Sequence, residues 1–111
     1  MTTITNEFMT GMLGKSKNYT VVILKKGPNE DIPEVKQIVR EHARRNFELR
    51  EQGLLSIVCP IAEENEVRGI GIFNADKEKV KEIMDSDPGV QKDIFVYEIL
   101  TARSFPGDAL P

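Results

Sequence analysis

Residues 54–75 read Leu-Leu-Ser-Ile-Val-Cys-Pro-Ile-Ala-Glu-Glu-Asn-Glu-Val-Arg-Gly-Ile-Gly-Ile-Phe-Asn-Ala. Two β-rich runs, Leu54 to Ile61 and Val67 to Ala75, flank the polar turn Ala62 to Glu66, the pattern of an antiparallel hairpin. Everything around this hairpin follows from what lies on either side of it. Upstream, a helix starting near Asp31 as cap, with Pro33 in its first turn, continues to about Gln52 and stops at Gly53. Downstream, Asp76 caps a shorter helix, about Lys77 to Ser86, that ends before Asp87-Pro88-Gly89. The outermost elements are the apolar strand Tyr19 to Lys26 and the strand Asp93 to Ala102.

The order strand–helix–strand–strand–helix–strand predicts an α+β domain. Right-handed crossovers put both helices on one face of a four-stranded antiparallel sheet, the ferredoxin-like βαββαβ arrangement. Such a sheet has one bare face, yet the strands alternate apolar residues on both faces: Ile57 and Cys59 against Val58 and Pro60, Phe95, Tyr97 and Ile99 against Ile94 and Val96. Monomers rarely keep a large apolar patch, so two sheets are expected to pair face to face in a two-fold homodimer.

At 111 residues the chain has the size of one domain, 19–103, with an N-terminal arm, 1–18, and a turn-rich tail, 104–111. Phe8, Met12 and Leu13 are spaced for one helical face of the arm. A net charge of −3 and a pI near 5.2 argue against a nucleic-acid partner. Arg40, Arg44, Arg45 and Arg50 alternate with Glu41, Glu48 and Glu51, the pattern of a solvated helix face. No apolar run approaches the ~18 residues of a membrane span, and no secretory leader is expected. One cysteine, Cys59, forms no internal disulfide, so the cytoplasm is the expected location. One His and one Cys do not make a His/Cys zinc site, and no cofactor motif is expected. Gly69-Ile70-Gly71 precedes no helix N-terminus; its glycines are expected to let a helix or a partner sheet come close.

Polar residues interrupt both helix stripes. Val35, Ile38, Val39, Ala43 and Phe47 mark the inner face of the first helix, and the same stripe holds His42 and Asn46. A buried imidazole without partners costs roughly 1–3 kcal/mol. Val80, Ile83 and Met84 mark the inner face of the second helix, and the next position on it is Asp87. Asp85 and Asp87 then lie at a helix C-terminus, where a carboxylate opposes the macrodipole. Taken singly, His42 reads as a core histidine and Asp87 as a turn opener. Taken together, one titratable group on each helix points to a functional pair.

Glu41-His42, the exit Gly53-Leu54-Leu55, Phe73-Asn74-Ala75-Asp76 and Asp85-Ser86-Asp87-Pro88 together resemble the YciI (YCII-related) family from about Tyr19 to Ala102. The resemblance implies a dimeric α/β barrel with a His–Asp pair, here His42 and Asp87, as catalytic centre. Members with an assigned chemistry resemble lyases or dehydrochlorinases acting on small cyclic compounds. Cys59-Pro60 stands where the family has Gly-Pro, so the pocket floor is expected to differ.

The expected function is therefore acid–base chemistry of lyase, dehydrochlorinase or isomerase type on a small-molecule ligand. His42 takes the proton, Asp87 orients the ring, and Asn46 and Ser56 contact the substrate. The resemblance leaves room for an anionic ligand group at Arg44 or Arg45. Cys59 reads as a small hydrophobe rather than a nucleophile. The alternative is a non-catalytic ligand-binding or assembly module in which the pair is structural.

Overall fold

In the computed structural model, which describes residues 2–111, the elements are α1 (Asn6–Gly14), β1 (Lys17–Lys26), α2 (Val35–Glu51), β2 (Leu55–Pro60), β3 (Val67–Phe73), α3 (Lys77–Asp85), α4 (Pro88–Gln91) and β4 (Phe95–Ser104). The four strands form one antiparallel sheet in the order β2-β3-β1-β4, the ferredoxin-like arrangement. The hairpin of residues 54–75 is β2 and β3, as its sequence requires.

One face of the sheet carries the core. Thr20, Val22 and Leu24 of β1 alternate inward, and Leu55, Phe73, Ile94 and Phe95 meet them from the other strands and their ends. Val80, Ile83 and Met84 of α3 and Leu49 of α2 close this layer from above. Each such side chain contributes roughly 1.5–3 kcal/mol on burial. The Thr20 hydroxyl, buried among them, donates to the Ala75 carbonyl at 2.7 Å, which ties β1 to the start of α3. The opposite face has no layer of its own. Tyr19, Val21 and Ile23 are half-buried there, beside Ile70, Val96 and Leu100, which are 36%, 41% and 50% exposed.

Several local expectations differ from what the chain does. Asp31 does not cap the long helix; residues 28–34 form turns, and α2 begins at Val35 with Glu34 at its cap position and no side-chain cap bond. Pro33 therefore sits before the helix. Phe47 is 62% exposed, because the stripe that meets α4 and β2 runs through Val35, Ile38, His42 and Leu49. Gly53 does end α2, at φ 76°, a conformation glycine reaches without strain. The arm is the helix α1, none of whose residues is buried. No described helix is long and apolar enough to cross a membrane.

Candidate functional site

His42 and Asp87, 45 residues apart in sequence, meet where α2 crosses α4. Nδ1 of His42 lies 2.8 Å from Oδ1 of Asp87. The carboxylate is 1% exposed and the imidazole 13%, so little water competes for the bond.

Asp87 is not at the end of the preceding helix in the sense the sequence suggested. α3 stops at Asp85, and Asp87 is the N-cap of the four-residue helix α4. Its Oδ2 accepts from the backbone N–H of Gly89 at 2.9 Å and of Val90 at 3.3 Å. The dipole that was expected to oppose this carboxylate thus favours it. Pro88 occupies the first helical position, where its missing N–H is no loss. Gly89 is needed for close approach: a Cβ there would lie 2.5 Å from Cδ2 of Phe95. The Phe95 ring in turn lies against the imidazole, with centroids 4.9 Å apart and planes tilted by 48°.

This geometry assigns the protons. An ionised carboxylate only accepts, so Nδ1 carries the hydrogen and a neutral His42 has its lone pair on Nε2. Nε2 faces Asn46, whose Nδ2 lies 3.3 Å away and donates weakly to it. Should Nε2 take a proton, turning the Asn46 amide by half a circle presents an oxygen to it instead. One residue therefore serves both states of the ring.

His42 and Asn46 line a cavity of about 290 Å³ between α2 and the sheet, with Val22, Leu24, Val39, Ala43, Val58, Phe73, Met84 and Phe95 as mostly apolar walls. That volume is at the lower end of ligand pockets, which run ~300–1,000 Å³, and has room for a single-ring compound. Gly69 and Gly71 form part of the lining. They were expected to let a helix or partner sheet approach; instead their missing side chains leave the space open beneath α2. Arg68 is the one cation on the lining. Its Nε and Nη2 hold Glu30 at 2.8 and 2.6 Å, and this pairing keeps the Glu30 carboxyl below the usual range.

The structure brings together four of the five residues selected from the sequence, His42, Asn46, Arg45 and Asp87. Arg45 lies beside the pair without lining the cavity: its Nη1 is 3.6 Å from Oδ1 of Asp87, an ion pair that supports the carboxylate. Arg44 is exposed and pairs with Glu41. Ser56 lines a separate cleft, because a register shift between Leu55 and Ile57 rotates it off the face it would share with Val58. Sequence reasoning missed Phe95 and Arg68; no local pattern marks a residue whose role depends on what crosses above it. Among the described residues, no group of three or more His, Cys, Asp or Glu side chains is placed to hold a metal ion.

The chain is thus a ferredoxin-like α+β domain with a His–Asp pair at the wall of an apolar cavity. Among solved structures it is similar to 5-chloro-2-hydroxyhydroquinone dehydrochlorinase from Burkholderia phenoliruptrix, in complex with 2,5-dihydroxybenzoquinone. The match has a TM-score of 0.50 and 13% identity, and covers 79% of this chain and 95% of the dehydrochlorinase. At that identity the likeness shows a shared fold. No protein-family model matches the sequence, and no curated protein matches it.

Proposed function

We propose that the protein is a YciI-like enzyme that uses His42 and Asp87 for acid–base chemistry on a small ring compound. The observation that carries this reading is the 2.8 Å His42–Asp87 contact beside an apolar cavity of ring-compound size. Asp87 fixes the tautomer and balances the imidazolium, so Nε2 is the base that removes a proton from the bound substrate. Loss of a leaving group from the neighbouring carbon, or return of the proton to another atom, completes a lyase, dehydrochlorinase or isomerase cycle. A positioned base of this kind contributes about 10²–10⁴ in rate. The shared fold with a dehydrochlorinase supports the choice of chemistry.

The uncovered apolar sheet face supports a two-fold homodimer of the dimeric α/β-barrel type. A lone exposed thiol, Cys59, suits a reducing compartment such as the cytoplasm.

A second reading rests on the same contacts. Asp87 caps α4 and holds His42 and Arg45 of α2, so the pair also pins two helices together, as it would in a non-catalytic binding or assembly module. His42→Gln separates the two readings. Acidic hydroxylated ring compounds are incubated with the parent and the variant, and product formation, melting temperature and mass in solution are measured. The enzyme reading expects turnover lost with fold and mass retained. Full turnover in the variant, or a variant whose only defect is a weakened dimer, overturns it.

A further inference from the structure

α1 is a helix with nothing of its own chain to rest on. It has nine residues, two of them glycine, and buries none of them. Isolated helices shorter than ~12–15 residues are marginal in water, and glycine weakens them further. Its N-cap, Thr5 accepting from the Phe8 N–H at 3.1 Å, adds only about 1 kcal/mol of stability. Yet Phe8, Met9, Met12 and Leu13 fall within an arc of about 140° at helical spacing, and Phe8, Met9 and Leu13 are 54%, 51% and 53% exposed.

The dimensions of the chain give the same message. Its radius of gyration is 16.5 Å, against roughly 13 Å for a compact domain of this length. Its accessible surface is 8007 Å², whereas a compact 12.5 kDa monomer exposes roughly 6,200 Å². The excess, about 1,800 Å², is what one subunit gives up in a large permanent interface.

A receptor of matching character is present. A cleft of about 670 Å³ runs between the uncovered sheet face and the tail, walled by Tyr19, Ile57, Ile72, Phe105 and Leu110. It carries one cation, Arg50, and one anion, Asp108, while the only charges on and beside α1 are Glu7 and Lys15. No residue of α1 lines the cleft of its own chain. At the junction with β1 the Lys15 N–H, Ser16 N–H and Ser16 hydroxyl donate to Met12 and Leu13 carbonyls at 3.0, 3.2 and 2.6 Å, which caps the last turn of α1. The arm lacks the basic polar face of a membrane-surface helix.

We propose that α1 is an exchanged arm, whose apolar arc packs into the cleft between sheet and tail of a second copy of the chain. This rests on the homodimer proposed above. Two single-cysteine proteins, Leu13→Cys and Ala109→Cys, each also carrying Cys59→Ser, are unfolded together, refolded and mildly oxidised. The expected product is a covalent species of twice the chain mass that joins the two variants. No such species, or closure within a single chain when both cysteines are placed on it, overturns the inference. In parallel, Phe8→Glu with Leu13→Glu, which disturbs no packing within the chain, is expected to weaken the dimer on the order of tenfold or more by sedimentation. A parent protein that stays monomeric removes the dimer and the arm together. A parent dimer indifferent to the α1 substitutions removes the arm alone.

Discussion

Replacing Asp87 by Asn keeps the shape of a fully buried group and reverses part of its hydrogen bonding, which makes the consequence calculable. Asp87 accepts four approaches: His42 Nδ1 at 2.8 Å, the Gly89 and Val90 N–H groups at 2.9 and 3.3 Å, and the Arg45 guanidinium at 3.6 Å. An amide has one oxygen. If that oxygen faces His42, the NH₂ meets two backbone donors, and each unsatisfied N–H costs roughly 1–3 kcal/mol. If it stays with the backbone, the NH₂ faces His42, and the ring answers by moving its proton from Nδ1 to Nε2. The second arrangement wins, at a cost of roughly 2–3 kcal/mol for the charge-assisted bond and the Arg45 attraction. For a domain of this length that lowers the melting temperature by about 8–12 °C. The sole histidine makes long-range ¹H–¹⁵N correlation unambiguous: the parent is expected as the Nδ1–H tautomer and Asp87→Asn as the Nε2–H tautomer. The base is then lost from the cavity side, and a wrong tautomer of this kind costs about 10⁴ in turnover in serine proteases, where the same pairing operates. An unchanged tautomer with a melting point within ~2 °C of the parent refutes the account.

Gly69→Ala tests the cavity independently. An added Cβ meets only the Cys59 carbonyl at 3.5 Å and Pro60 Cα at 3.9 Å, so it fits and points into the space under α2. We expect stability to rise by about 0.4–1 kcal/mol in denaturant titrations while binding of single-ring ligands weakens; a destabilised variant contradicts the packing described. Tyr97 reports on the α3–β4 contact. Burial, and then the bond it donates to Asp85, push its phenol up to about 12 from 10.0. The stability this contributes is complete below pH 10.0 and is lost as pH rises through about 12. Ultraviolet titration of Tyr19→Phe, which leaves Tyr97 as the only tyrosine, should show ionisation near that upper value, and ionisation at the ordinary value counts against the contact.

The fold was legible because its signals are long and periodic. β1, the hairpin β2–β3 and α2 each span at least six residues of consistent pattern, and Asp76 caps α3 as expected. His42 and Asp87 stood out because they interrupt apolar stripes. What could not be read is set by features shorter than a period or far apart in sequence. α4 is a single turn, too short for periodicity, so the cap role of Asp87 was invisible and its charge looked misplaced. Ser56 was misassigned because one irregular step in β2 reverses its direction while leaving Val58 and Pro60 in phase. Phe47 follows the stripe that a straight count gives, but α2 has only Leu49 fully covered, and its far side stands clear. Arg68 became part of the cavity only through the crossing of α2 over β3.

The strand order β2-β3-β1-β4 has a consequence for how the protein comes to exist. The chain divides into two strand–helix–strand halves, β1-α2-β2 and β3-α3-α4-β4, and every neighbouring pair of strands joins one half to the other. No sheet hydrogen bonding is available within either half, so neither has a stable intermediate of its own to rest in. His42 belongs to the first half and Asp87 to the second. During synthesis the first half waits, its strands unpaired, until β3 emerges to pair with both β1 and β2, and only when α4 has followed can the two side chains meet. Non-local pairing of this sort folds slowly compared with local contacts. The His–Asp contact is therefore also a clock: its appearance in a refolding experiment marks the moment the two interleaved halves have closed on each other.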